Sequence, residues 1–524
     1  MIRAPVRRVP KPVAKSLSIT APIGGLNARD SLAAMPPQDA VILDNFFPTT
    51  TTVNLRNGRT DWVTGLPADV QSLMPYVTPT TSKLFAASGT AFYDVTSTGA
   101  VGAAVVTGLT NAKWQSTNMG TPGGNFFYAV NGVDKPRYYD NAAWVAVDNA
   151  TTPAITGVTT TLLVHVNVYK TRLYFVEVNS LSVWYLPVNS IGGAAEELDL
   201  APIFKLGGYL MAMATWTVDN SAGIQEYAVF ITSEGEIAVY QGYDPSTAGS
   251  WSIVGLFRTG RPVGRRCFEK VGSDLILLTS DGVFPLSKAL LTDRSQLQDA
   301  LSNKIVKLVN EDVANYGSNF GWDIKLYPLG NKLIVNVPQV EGDTQYQYVM
   351  NTITGAWCRF TKWNANCFAV MGNVLYYGGN LGAAANTAFV AKADVGYSDA
   401  GAYIFGEVKT AFQYFGNPGI LKRWTMVRPT FYTAGEMIPA LRIDVDFEDV
   451  FPTSTGSFSN TGGTAWNTSL WNTFPWGSVS AIKGDWQGVS GLGYCAALHM
   501  RIVNNATPVQ WMSVDYVYEN GAIL

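Results

Sequence analysis

YAVFITSEGEIAVYQG, residues 227–242, sets two apolar runs on either side of Ser-Glu-Gly-Glu. β-branched and aromatic residues fill both runs and the Gly permits a tight reversal, so the segment reads as a β-hairpin. Six more segments have the same form: KLFAASGTAFYDV from Lys83, NFFYAVNGVDKPRYYD from Asn125, RLYFVEVNSLSVWYL from Arg172, LILLTSDGVFPLS from Leu275, LIVNVPQVEGDTQYQYVMN from Leu333 and VLYYGGNLGAAANTAFVA from Val374. Their starting points lie about 40 to 60 residues apart, the period of β-propeller blades. One four-stranded blade cannot bury both of its faces, and radial stacking buries them while leaving only short edges. The sequence therefore predicts a mainly β protein with a β-propeller over residues 66–409; an array of two-sheet sandwiches is the competing architecture.

One segment breaks the pattern. LQDALSNKIVKLVNEDVANY, residues 297–316, places Leu297, Ala300, Leu301, Ile305, Leu308, Val309 and Val313 on one stripe, the period of an amphipathic helix, with Gly317 as its stop. A short helical insertion is expected there. A second short helix is expected from Pro37 to about Asn45, with proline at its start, inside a strand-helix-strand block over residues 21–65.

The texture changes again near Lys409. Residues 410–524 carry strands such as ALRIDVDF and PVQWMSVDYVYE, and predict a C-terminal β-domain with a projecting loop over residues 453–480. Trp466, Trp471 and Trp476 recur in that loop at intervals of five, which neither helix nor strand produces. They read as interface anchors, as sugar-stacking platforms, or as rings that pin the loop.

Composition bounds the function. The chain has 524 residues, 47% of them hydrophobic and only 14% charged, against roughly 25% charged in typical domains. Its net charge of −3 makes it no general attractant for nucleic acid. Residues 1–20 form a basic arm with Arg3, Arg7, Arg8, Lys11 and Lys15 and no acid. It would dock on an acidic partner or on phosphate, or stay solvated. Prolines and lysines interrupt this segment, so it is not expected to be a secretory signal, and no apolar run approaches the ~18 residues of a membrane span. Cys267, Cys358, Cys367 and Cys495 are sparse. Cys358 and Cys367 would face each other across a hairpin or be two small buried thiols, and synthesis inside the cell is expected.

Chemistry is hard to find. His165 and His499 have no metal-ligand spacing around them, and no serine sits in a nucleophile elbow. Phosphate-cradling glycine loops are missing, so no cofactor is expected. DVDFEDV sets Asp444, Asp446 and Glu448 on one face of a strand, either a calcium site or the wet side of that strand. RTGRPVGRRCFEK gathers Arg258, Arg261, Arg265 and Arg266 within nine residues and no acid among them. These arginines would touch DNA phosphates or a partner's carboxylates, or cap loops within an oligomer.

GGLNARDSLAAMPPQDAVILDNFFPTTTTVNLRNGRTDW, from Gly24, resembles the start of tail nozzle proteins, the tail tubular protein B type, of short-tailed bacteriophages. DLILLTSDGVFPLS, YVMNTITGAWCRF, ILKRWTMVRPTF and the closing VDYVYENGAIL are similar to later blocks of such proteins. The resemblance implies a virion tail protein without catalytic residues, assembled in the host cytoplasm. It would form a homohexameric ring below the portal and head-to-tail adaptor, conduct and retain genomic dsDNA, and carry tail fibres outside. A mildly acidic body suits a conduit, because each phosphate neutralised by Lys or Arg favours binding and would stall transit. The alternative is a glycan-binding or glycan-cleaving propeller used in host recognition; a lectin-like cellular module is a third.

Overall fold

The computed structural model describes residues 13–220, 223–247, 249–289, 300–380, 387–452, 457–459 and 480–521. The chain divides into two compact units: residues 59–352 with 360–395, and residues 1–58 with 353–359 and 396–524.

The first unit is a β-propeller of seven blades. Four blades are complete antiparallel four-stranded sheets, which begin with Val70–Val77, Gln115–Thr121, Leu163–Tyr169 and Leu210–Asn220. The fifth shows three strands among the described residues, Phe268–Val271, Asp274–Thr279 and Gly282–Pro285. The sixth begins with Asp323–Tyr327, Lys332–Val337 and Tyr346–Asn351; the next strand along the chain, Trp357–Thr361, straddles the division between units. Each of the seven predicted hairpins supplies the second and third strands of one blade, and the hairpin at 227–242 joins Gly223–Thr232 to Glu236–Gly242.

The seventh blade explains how the ring closes. Its strands Ala365–Met371, Val374–Gly379 and Ala388–Ala393 come from the end of the propeller, but its fourth strand is Arg59–Leu66 from the start, with the short Gly99–Ala100 paired beyond it. Val63, Leu66 and Val390 are buried with Val70, Leu84 and Ala369 in one cluster. The sequence division put residues 21–65 in a separate block and ended the propeller at 409. The compact unit instead takes in the strand from Arg59 and stops at 395, because closure hydrogen bonds tie the two ends of the ring.

The helical insertion follows blade five. It is shorter than the predicted 297–316: a 3-10 turn, Asn303–Ile305, leads into the helix Val306–Tyr316, and Gly317 donates to the Val313 carbonyl. Residues 297–299 lie outside the described residues. Ile305 and Val309 are buried, as the stripe requires.

The second unit is built from both chain ends. Lys422–Thr433 and Val509–Asn520 pair along their length, and Ala14–Thr20 and Val53–Leu55 add to the latter strand. A second sheet orders Asp39–Asp44, Ile404–Thr410, Ala496–Asn504 and Ala440–Val445. A Cβ at Gly406 would lie 2.7 Å from both Leu55 and Phe46, so only glycine allows this approach between the sheets. The helix expected from Pro37 to Asn45 is not there. Pro36 and Pro37 make a turn in which Asp39 N–H donates to the Pro36 carbonyl, and Ala40–Leu43 run on as a strand hydrogen-bonded to Ile404–Thr410. Tertiary pairing outweighs the local helix signal, as β-branched Val41 and Ile42 favour. Residues 14–20 of the basic arm are likewise a strand, with Lys15 exposed on it. All four cysteines are buried.

Candidate functional site: the propeller channel

The first strand of each blade lines the axis. The ring closes where Ala365–Met371 packs beside Val70–Val77, and a cavity of about 500 Å³ runs along it. A second hollow of about 540 Å³ opens at one end and shares Gln115, Arg265 and Arg266 with the channel.

Charge in the channel is mostly paired. Arg266 Nη1 lies 4.0 Å from Asp323 Oδ2, and its Nη2 donates to Ser72 Oγ at 2.7 Å and to the Gln71 carbonyl at 3.0 Å. Lys325 Nζ lies 2.9 Å from Glu269 Oε2. Burial pushes the Asp323 carboxyl up, against the pull of Arg266 and Lys325. Burial opposes the charge of Lys325, but Glu269 and Asp323 outweigh it and hold the ammonium above its ordinary value. His165 Nε2 lies 2.9 Å from the Met213 carbonyl, which can only accept. Burial takes the His165 pKa down to about 4, so the ring is neutral at pH 7 and its Nδ1 has no partner.

The arginine run does not form one patch. Arg258 ends the outer strand of blade four, exposed. Arg261 is exposed and holds Glu234 at 2.7 Å. Arg265 and Arg266 turn into the channel. Arg265 Nη1 donates to the Met211 and Leu210 carbonyls at 2.8 and 3.3 Å, and burial lowers its pKa. Arg3, Arg7, Arg8, Lys11, Trp466, Trp471 and Trp476 lie outside the described residues.

The other concentration of charge is in the second unit. Lys409 Nζ, nearly sealed from solvent, lies 2.9 Å from Asp444 Oδ2 and 2.9 Å from Asp449 Oδ1. Arg442 holds the other Asp444 oxygen at 2.8 Å. His499 faces Glu407 Oε1 and the Val450 carbonyl, each at 3.1 Å. Asp444, Asp449 and His499 are close enough to hold a metal ion, but the Lys409 ammonium already stands between the carboxylates where a cation would sit. The wet-face expectation for DVDFEDV fails at Asp444, which is fully buried. Asp446 leaves the strand at positive φ and accepts the Tyr494 N–H.

Sequence reading missed Glu269, Asp323, Lys325 and Lys409. They sit far apart in the chain, in first strands or in a middle strand, and only the packing of blade six against blade five, or sheet pairing, brings them to partners.

Among the described residues no helix is long and apolar enough to cross a membrane. No family model and no curated protein matches the chain. Solved structures similar to it include BBS1N in complex with ARL6DN, 12% identical over 66% of this chain and 99% of that one, with a TM-score of 0.40. The Cps50 (Swd1) β-propeller domain of Myceliophteria thermophila is 10% identical over 64% and 99%, TM-score 0.38. An exo-β-1,3-galactanase of Phanerochaete chrysosporium with galactose is 8% identical over 77% and 95%, TM-score 0.25. At these levels the likeness carries no functional argument, and the strand pairing described above identifies the chain as a seven-bladed β-propeller with an added β-unit.

Proposed function

We propose that this chain is a structural virion protein, a subunit of the homohexameric tail nozzle of a short-tailed bacteriophage. The ring would pass genomic dsDNA through a lumen formed between copies, hold it until ejection, and dock the adaptor and tail fibres on its outside. Chemistry plays no part in this role; shape and contact do. The sequence blocks quoted above suggest the family.

The structural observation that supports assembly is the outer strand of blade four, Trp251–Arg258. It is the last strand of its sheet and exposes Ile253, Val254 and Leu256 at 46%, 48% and 37%. Monomeric proteins blunt such apolar edges with charge or proline, and a closing ring covers them with a neighbouring copy. The double substitution Ile253→Lys with Leu256→Lys is expected to leave a folded monomer where the parent chain forms a hexamer, by light scattering after gel filtration. A parent chain that stays monomeric with and without the adaptor would overturn the nozzle reading.

A glycan-cleaving propeller has one observation in its favour. Glu269 and Asp323 share the channel, and the raised pKa of Asp323 suits a general acid. Against it, each carboxylate is held by a cation and a backbone N–H. Release of reducing sugar from host polysaccharide by the parent chain, lost in Asp323→Asn, would favour this reading over the nozzle.

A further inference from the structure

We propose that the propeller channel binds a small divalent oxyanion on the guanidinium of Arg265. Both protein hydrogen bonds of Arg265 come from Nη1. Its Nε and Nη2 have no partner among the described residues, yet neither is sealed off. These two N–H groups form the planar edge that grips two oxygens of one phosphate or carboxylate.

The surroundings favour an anion there. Four cations line the channel, Arg265, Arg266, Lys270 and Lys325, against two acids, Glu269 and Asp323. The acids are taken by Arg266 and Lys325, and His165 is neutral. Arg265 and exposed Lys270 are thus left as two positive charges without a carboxylate within ion-pair distance among the described residues, and the field of both favours a divalent anion at the Arg265 fork. Burying a cation without a counter-charge is costly, so occupancy also stabilises the ring. The hollow that shares Arg265 with the channel gives a path of entry.

The test uses the isolated chain and inorganic phosphate, so its outcome does not depend on ring assembly. Calorimetric titration is expected to show saturable binding, and the melting temperature to rise with phosphate but not with chloride at matched ionic strength. Arg265→Lys keeps the charge and loses the fork, and its affinity is expected to fall about tenfold. Exposed Lys270→Gln is expected to weaken binding about threefold without loss of fold. No saturable binding up to about 50 mM phosphate, or unchanged affinity in Arg265→Lys, overturns the site. Should Arg265→Lys not fold, Lys270→Gln decides, and unchanged affinity in it overturns the site.

Discussion

Lys409→Met is expected to destabilise the unit built from the two chain ends by about 3–5 kcal/mol, the range for breaking a buried ion pair at one partner. The side chain of Lys409 is 2% exposed and that of Asp444 is 0%. Removing the ammonium leaves the Asp444 carboxylate in the interior with Arg442 alone on one of its oxygens. His499 then faces it at 3.4 Å without the lysine between the acids. Arg428→Met, which removes a half-exposed partner of Asp515, is expected to cost no more than about 1 kcal/mol. Urea unfolding of both variants measures the contrast, and hydrogen exchange at 404–410, 440–445 and 496–504 locates it. Equal loss in the two variants would show that the buried cluster contributes nothing special. Replacing Asp444 by leucine in the Lys409→Met background is expected to restore part of the loss, because the stranded charge is then gone.

The same cluster sets an acid limit. A hydrogen bond from His499 holds Glu407 below the usual carboxylate range, and one from Lys409 does so for Asp449. A depressed carboxylate adds stability that is present above the unfolded pKa of about 4 and is lost as pH falls through the lower folded value. Asp449 is largely exposed, so its share is small. In Lys409→Met the Asp449 share is absent, and that variant is expected to lose less of its remaining stability below pH ~4 than the parent does.

How much of this was legible in the sequence follows from distance along the chain. The seven hairpins were readable because strand, turn and strand lie within twenty residues and carry their own turn chemistry. The closing strand Arg59–Leu66 was not, because its partner Ala388–Ala393 is over three hundred residues away and nothing local marks one strand as belonging to the last blade. The residues 37–45 failed for a related reason: proline and alanine signal a helix start, but the pairing that made Asp39–Asp44 a strand comes from Ile404–Thr410. Asp444 alternates correctly for a strand face, yet which face is wet depends on Lys409 and His499 from other strands. The run from Arg258 to Arg266 looked like one patch because spacing in sequence hides a turn that sends Arg265 and Arg266 inward and leaves Arg258 and Arg261 outside.

Val63→Asp tests the closure itself and is expected to cost about 3–5 kcal/mol, enough to open the propeller rather than one blade. Val63 is 2% exposed, pairs with fully buried Val390, and packs in a cluster that also contains Val70 from the first blade and Ala369 from the last. An aspartate there either carries an unpaired charge into an apolar site or takes up a proton at the cost of its pKa shift; both penalties add to the lost packing. The consequence reaches beyond the seventh blade, since Ala365–Met371 and Val70–Val77 are neighbours only while the ring is shut. Thr64→Asp, one residue on and exposed, keeps the same backbone pairing and is expected to stay within about 0.5 kcal/mol of the parent. Hydrogen exchange in strands 70–77 and 365–371 should rise together in Val63→Asp and remain slow in Thr64→Asp. Protection lost only in Ala388–Ala393, with the first strands unchanged, would mean that the ring is held by its inner strands and that the strand from Arg59 is merely an edge.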